Sequence, residues 1–220
     1  MKKFNAFVAL LASVLMIAGF AGTSAANAAN LTATASLTEG PYYVAGNFVR
    51  SDITEGQTGL IQNLTFTVVN TKGVPQKGVR VDIWHANALG QYSGVTGPKE
   101  GCTTCGDKTF LRGTQTTNAA GKVTFKTIFA GWYPGRTVHY HVKVWRGSTQ
   151  VLTTQYFVSS ADSAKVFTAY SPYKTKGLQN TSNAQDQIAS SLGTAGLAAN
   201  TLKNNFAAKK VTSTAKIVLN

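Results

Sequence analysis

Two consecutive stretches of the sequence read Val138-His-Tyr-His-Val-Lys-Val-Trp-Arg146 and Thr149-Gln-Val-Leu-Thr-Thr-Gln-Tyr-Phe-Val158, and Gly147-Ser148 joins them. Both runs are rich in β-branched and aromatic residues, which favour strands, and the Arg-Gly-Ser between them is typical of a turn. The pattern predicts two adjacent strands. Side chains alternate across a strand, so His139 and His141 share one face while Tyr140 points to the other.

Four further runs of strand-forming residues lie upstream, and turns such as Asn70-Thr-Lys-Gly73 and Asn118-Ala-Ala-Gly121 separate them. No amphipathic stretch of helix length occurs before about residue 160. Short strands spaced in this way predict an all-β fold, an antiparallel β-sandwich. The runs cover Leu60–Asn70, Gly78–His85, Lys108–Thr116 and Lys122–Phe129.

The last sixty or so residues favour short helices or loops near the C-terminus. Asp162–Tyr170 and Asn183–Ser191 are the predicted helices, and Ala208–Leu219 is a predicted closing strand. Because no repeat or low-complexity linker divides the chain, we predict one β-sandwich domain over residues 29–220.

The first 28 residues have the order of a secretory signal peptide. Lys2 and Lys3 precede an apolar run from Phe7 to Phe20, and small residues follow to Ala28. The run is short for a bilayer-spanning helix, so we expect cleavage near Ala28 and no transmembrane anchor. The mature protein is predicted to be exported, whether secreted, periplasmic or associated with the cell envelope.

Composition excludes several classes of protein. Hydrophobic residues make up 43% of the 220 residues and charged residues 13%, which excludes a disordered or coiled-coil chain. Lys and Arg number 21 against 8 Asp and Glu, a net charge of +13. The basic residues are scattered along the sequence without a recognition helix or RNA-binding signature, so we predict no nucleic-acid partner. The charge would instead attract acidic phenolics or the cell envelope.

Cys102 and Cys105 are the two cysteines and lie in Gly101-Cys-Thr-Thr-Cys-Gly106. In an exported protein such a pair favours a small structural disulfide. A zinc half-site or a redox motif is the alternative, but no second cysteine pair and no βαβ pattern accompanies it.

The histidine strand is the strongest candidate for chemistry. His139 and His141 lie roughly 7 Å apart along one strand face, close enough to converge on one metal ion. The turn Tyr133-Pro-Gly-Arg136 leads directly into this strand and brings a phenol and a guanidinium to its mouth. Tyrosine is an uncommon ligand that suits a hard, highly charged ion such as ferric iron. The alternative is a pair of hydrogen-bonded structural histidines.

These segments together resemble the intradiol ring-cleavage dioxygenases, in particular exported bacterial and fungal members. The resemblance rests on Trp84-His-Ala-Asn-x-x-Gly-x-Tyr92, on Tyr133-Pro-Gly-Arg136-x-x-His139-x-His141 and on Thr153-Thr-Gln155. Thr38-Glu-Gly-Pro-Tyr-Tyr43, Phe110-Leu-Arg-Gly-Thr-Gln115 and Pro172-Tyr-Lys-Thr-Lys-Gly177 also look like that family.

The resemblance implies a mononuclear, non-haem Fe(III) ion held by Tyr92, Tyr133, His139 and His141. It also implies a substrate that is a small aromatic diol of the catechol type, opened by O2 between its two hydroxyl-bearing carbons to give a muconate-type product. Tyr133 would leave the metal when the diol binds and take up a proton.

Other site residues follow from the same resemblance together with their chemistry. Arg136 and Gln155 would stabilise and orient developing negative charge as catalytic residues. Trp132, Tyr42 and Tyr43 would form aromatic walls for a flat substrate. Intracellular members carry a helical dimerisation segment before this region. Too few residues separate the predicted cleavage point from Glu39 for such a segment, so we do not expect that mode of dimerisation. Whether the protein forms another homo-oligomer stays open.

Two rival functions use the same residues differently. A transthyretin-like β-sandwich binding module of the cell envelope would keep the His and Tyr residues for structure alone. A zinc or copper site at the histidine pair would need a third ligand or a general base, for which Asp82 is the nearest acidic residue.

Overall fold

The computed structural model describes Met1, residues 30–97 and residues 102–220, so nearly all of the predicted signal peptide lies outside the described residues. No helix within that part of the chain is long and apolar enough to cross a membrane. The elements are β1 (Ile61–Asn70), β2 (Arg80–Trp84), β3 (Arg112–Thr116), β4 (Lys122–Ile128), β5 (His139–Arg146), β6 (Thr149–Phe157), α1 (Ser160–Ala169), α2 (Tyr173–Lys176), α3 (Gln187–Ser190), α4 (Gly193–Ala199), β7 (Lys203–Ala207) and β8 (Lys210–Leu219).

The strands form two four-stranded sheets, which confirms the predicted β-sandwich. The first sheet has the order β4-β1-β8-β7 and the second the order β3-β2-β5-β6. Alternate residues of each sheet fill the space between them, as the strand period requires. In the first sheet Leu64 and Phe66 are fully buried, and in the second Tyr140 and Val142 are.

One strand pair departs from the antiparallel prediction. β1 and β8 pair in parallel, in register from Ile61 opposite Lys210 to Asn70 opposite Leu219, whereas the other five strand pairs are antiparallel. Parallel neighbours need a long connection between them. The segment from α1 to α4 carries the chain from β6 of the second sheet to β7 of the first, and a tight turn then returns it along β8.

Some element boundaries differ from the prediction for local reasons. The strand predicted from Lys108 begins only at Arg112, because Leu111 has a φ of 57°, outside the strand region. The helix predicted over Asn183–Ser191 contracts to α3, because the Asp186 carboxylate accepts hydrogen bonds from the backbone of Ile188 and Ala189 and so caps it. The sequence analysis missed α2, α4 and β7.

A chain of buried polar groups links the two sheets through the core. The Tyr140 hydroxyl on β5 donates to Gln62 Oε1 on β1 over 2.7 Å and accepts from the Ala130 backbone N–H over 2.8 Å. Gln62 Nε2 donates in turn to Ser213 Oγ on β8. Buried polar groups cost free energy unless they are paired, so this chain fixes how the sheets are aligned.

Replacing Tyr140 by Phe therefore leaves the Ala130 N–H and the Gln62 carbonyl without their partner. We expect the free energy of unfolding, measured by urea denaturation, to fall by about 1–3 kcal/mol. Thr65→Val is the control, because it removes an exposed hydroxyl that only contacts Thr124 and should cost within about 0.5 kcal/mol. An unchanged denaturation midpoint for Tyr140→Phe would contradict the proposed role of the buried chain.

Candidate metal centre

Two phenols and two imidazoles meet at the end of the second sheet. The Tyr92 Oη lies 3.3 Å from His139 Nε2 and 3.2 Å from His141 Nε2, and the Tyr133 Oη lies 3.2 Å from His139 Nε2. These residues are the four metal ligands predicted from the sequence, and the structure brings all of them together.

The pleat of β5 aims both histidines at this point. His139 Nδ1 lies 2.7 Å from the Thr137 carbonyl, which makes it the protonated nitrogen and leaves Nε2 as a lone pair for the centre. His141 stacks flat on the Trp84 indole at 4.8 Å between ring centroids. Its Nδ1 is buried without a hydrogen-bond partner among the described residues.

The loops that carry the two tyrosines lie back to back, and glycines allow the contact. The Gly131 N–H donates to the Asn87 carbonyl, and a Cβ on Gly131 would lie 2.3 Å from that oxygen. Gly90 has a φ of 83°, and a Cβ there would lie 2.2 Å from the Trp132 carbonyl. Only glycine permits such backbone approach, which explains Gly90 of the Trp84–Tyr92 motif and Gly131, two residues before Tyr133.

Burial sets the charge of the four groups. It raises the pKa of Tyr92 well above its usual value, with the neighbouring Tyr133 adding to the effect, and it also raises the pKa of Tyr133. Burial lowers the pKa of His139 to about 3, assisted by the Arg136 charge, and lowers that of His141 as well. The imidazoles are therefore neutral, which is the form that binds metals.

The donor set fits a trivalent metal ion. Three of the donor pairs lie 3.2–3.3 Å apart, close enough for the two phenol oxygens and two imidazole nitrogens to share one cation. A hard cation would displace the phenol protons and so offset the burial that raises their pKa. His141, stacked on Trp84 and fully enclosed, has no competing partner for Nε2 apart from the Tyr92 hydroxyl.

A zinc site of the usual ligand type is not supported. The described residues contain no group of three or more His, Cys, Asp or Glu side chains placed to hold a metal. Asp82, the candidate third ligand, instead accepts hydrogen bonds from Arg80, Thr114 and Trp145.

Arg136 and Gln155 form one network beside the phenols. Arg136 Nη1 lies 3.4 Å from the Tyr133 hydroxyl, and its Nη2 donates to Gln155 Oε1 over 2.6 Å. Gln155 sits opposite His141 in the β5–β6 register, and its Nε2 donates to the Thr38 carbonyl. The predicted pair of catalytic residues is thus next to the donors.

Comparison with known proteins shows the family of the chain. The family model described as Dioxygenase matches residues 38–171, more than half of the chain. The chain belongs to the intradiol ring-cleavage dioxygenases.

Individual relatives of this intradiol dioxygenase include enzymes of bacteria and a mite. A catechol 1,2-dioxygenase 1 from Acinetobacter lwoffii is 31% identical over 143 residues, and the match spans 54% of this chain but only 44% of that relative. The structure of an intradiol ring-cleavage dioxygenase from Tetranychus urticae is 28% identical, with a TM-score of 0.76, covering 86% of this chain and 94% of the other.

A third relative is a dioxygenase domain from a Streptomyces fusion with a carbohydrate-binding protein. It is 26% identical, with a TM-score of 0.63, and the match covers 86% of this chain and 99% of that domain. The fold thus recurs in structures that this chain matches over 94–99% of their length.

The predicted aromatic walls of the dioxygenase occupy different places. Tyr42 stacks on the Tyr92 ring at 4.4 Å and meets Tyr133 edge-on, so it covers the donors directly. Tyr43 lies one layer away, against Trp84 and under the Lys143 ammonium. The Trp132 indole donates to the Gly177 carbonyl and belongs to the main core, and its role as a wall stays a prediction.

Arg112 is a site-supporting residue that the sequence analysis did not single out. It is 2% exposed and donates from Nε and Nη2 to the Ser93 side chain and carbonyl, next to Tyr92. Burial lowers the pKa of its guanidinium to about 10. Its place in the Phe110–Gln115 motif was visible in the sequence, but its contact with Ser93 depends on the fold.

His85 and the cysteines have structural roles. His85 Nδ1 lies 2.8 Å from the Ala86 carbonyl and its Nε2 lies 2.7 Å from the Thr127 hydroxyl on β4, so the third histidine joins the two sheets. Cys102 and Cys105 form the predicted disulfide. This pairing excludes a zinc site on the cysteines.

Asp186 is the second residue that the sequence analysis missed. Its carboxylate is fully buried, accepts from Arg136 Nε over 2.8 Å and also accepts from the Thr137 N–H over 2.9 Å. Burial would raise the pKa of this carboxyl, but hydrogen bonds from Ala189 and Arg136 hold it below the usual value. In the sequence an Asp ahead of a helix indicates only a cap.

Because its pKa is lower folded than unfolded, Asp186 stabilises the fold above the unfolded pKa of about 4. That stability is lost as the pH falls through the folded value. We expect Asp186→Asn to reduce the free energy of unfolding by roughly 2–3 kcal/mol at pH 7 and the gap to wild type to narrow below about pH 4. Exposed Asp107→Asn is the control in the same denaturation series, and a gap that stays constant down to pH 3 would contradict this assignment.

Proposed function

We propose that this intradiol dioxygenase binds a mononuclear, non-haem ferric ion through Tyr92, Tyr133, His139 and His141, and opens the ring of a small catechol-type diol with O2 between the hydroxyl-bearing carbons. The observation that carries the proposal is the convergence of the buried Tyr92 phenol, the half-buried Tyr133 phenol and two neutral imidazoles, with three donor pairs 3.2–3.3 Å apart. The product would be a muconate-type diacid.

The bound ferric ion would supply a redox-active Lewis acid at which the diol and O2 react. The protein's own groups prepare that reaction. The Thr137 carbonyl accepts a hydrogen bond from His139 Nδ1–H, so the proton stays on Nδ1 and the lone pair of Nε2 is directed at the centre. Tyr133, which is near the Arg136 guanidinium, can hold or release a proton at Oη as a diol arrives.

Arg136 supplies a permanent positive charge beside the reacting oxygens. Asp186 holds the Nε side of the guanidinium and Gln155 holds Nη2, while Nη1 faces Tyr133. With two of its three nitrogens fixed, the guanidinium does not need to reorganise when negative charge develops on the substrate. Tyr42, stacked on Tyr92, would limit water access over the same oxygens.

We also propose that the protein acts after export. The support is the order of charged, apolar and small residues before Ala28 and the disulfide between Cys102 and Cys105, which persists in oxidising compartments.

The first experiment is a visible absorption spectrum of the purified protein with its iron content, before and after anaerobic addition of catechol. We expect a coloured, iron-containing protein whose absorption band shifts on addition of the diol. A colourless protein that stays free of iron after reconstitution would contradict the proposal and favour the binding-module alternative.

Two classes of variant separate metal binding from turnover. His139→Ala and His141→Ala should lose most of the bound iron, because each removes one of four donors. Arg136→Ala should retain iron and its absorption band, but lower kcat by about 10²–10³. Lys72→Ala, on an exposed turn, is the matched control. An iron-replete His141→Ala protein with normal turnover would refute the ligand assignment.

A further inference from the structure

The outer face of the first sheet carries a second surface feature, remote from the metal centre in sequence and in sheet. Every second residue is exposed from Lys122 to Lys126 on β4 and from Lys210 to Lys216 on β8. Lys203 is exposed on the edge strand β7. We call these five side chains, with the Thr and Asn residues between them, the basic face.

Strand pairing arranges the basic face in rows across the sheet. Thr67 on β1 lies between Lys122 and Lys216, which are therefore about 10 Å apart. In the next row Thr65 lies between Thr124 and Thr214, and Lys203 follows at the edge. Asn63 and Thr212 continue the array toward Lys126 and Lys210.

Four of the five lysines of the basic face have no acidic partner in the part of the chain that the structure describes. Lys126 pairs with Asp52 over 2.8 Å, but Lys122, Lys203, Lys210 and Lys216 form no ion pair with any described residue. Ordinary protein surfaces intersperse both signs, and a surface of one sign produces a field that attracts a charged partner. The sequence analysis treated the basic residues as scattered, because these lysines come from β4 and from the β7–β8 hairpin, which are far apart in the chain.

Protection of a sheet edge explains only part of this pattern. Lysine on an edge strand prevents pairing with another sheet, which accounts for Lys203 on β7 and for Lys122 and Lys126 on β4, the other edge strand. β8 and β1 lie inside the sheet, so the lysines of β8 protect no edge.

We propose that the basic face is a docking surface for an acidic polysaccharide. The four unpaired lysines complement carboxylates along an extended chain, and the Thr and Asn side chains between them offer hydroxyl and amide groups to the sugar hydroxyls. The face presents lysine without arginine forks and without aromatic rings, which argues against phosphate and base recognition and hence against nucleic acid. Docking there leaves the metal centre, in the other sheet, accessible.

The test uses polygalacturonate as probe and the whole protein at low ionic strength. A variant with Lys122→Gln, Lys203→Gln, Lys210→Gln and Lys216→Gln removes the unpaired charges of the face. Its control changes Lys72, Lys77, Lys108 and Lys174 to Gln, exposed positions outside this sheet with the same loss of net charge. Circular dichroism melts of both variants establish that they are folded.

We expect the face variant to bind polygalacturonate at least about tenfold more weakly than wild type, and the control to change by less than about threefold. Binding should weaken as NaCl is raised, and neutral dextran should not bind. Equal weakening of both variants, or equal binding of dextran, would overturn the proposal. Binding of duplex DNA as tight as that of polygalacturonate would overturn the polysaccharide assignment. Because binding is the readout, the result is independent of iron loading and ring cleavage.

Discussion

The pleat of β5 is the constraint on which the rest of the structure depends. One face of this strand supplies Tyr140 and Val142 to the core, and the other supplies His139 and His141 to the metal centre. Because the two sets alternate residue by residue, a register shift by one position would exchange them. The hydrogen bond of the Tyr140 hydroxyl to Gln62 across the core therefore also fixes where the histidines point.

The remaining parts of the centre are brought to β5 by segments that are distant in sequence. The loop after β2 brings Tyr92, and contacts at Gly90 and Gly131 lock it to the loop that carries Tyr133. The chain between α2 and α3 brings Asp186, which fixes the Arg136 guanidinium although it lies outside the region matched by the family model. The Tyr133–His141 motif supplies the Arg136 guanidinium, but the buried Asp186 carboxylate, fifty residues later in the chain, fixes its orientation.

Much of the fold was predictable because the patterns were local. Alternation in β1, β4, β5 and β6 and the turns at Asn70 and Asn118 gave the strands nearly to their ends. The prediction failed where conformation depends on more distant contacts. The positive φ at Leu111 shortens β3. The parallel pairing of β1 with β8 joins the first and last strands of the chain, with the six other strands and four helices between them. The short helices themselves carry weak periodicity, so α2 and α4 were missed.

From the sequence by itself came the sandwich class, the cysteine pair and the two histidines on one strand face, because these rest on residue type and on spacing along one strand or loop. The full set of four donors, with Arg136 and Gln155, came from the resemblance of several motifs to one family. Tertiary structure decided which side chains that are distant in the sequence contact one another. It decided that Asp186 holds Arg136, that Arg112 holds the loop beside Tyr92, and that lysines from three strands share one face. The physical reason is that hydrogen bonds and electrostatic fields depend on distances in space. Strand order and register determine those distances, and the spacing of residues along the sequence does not.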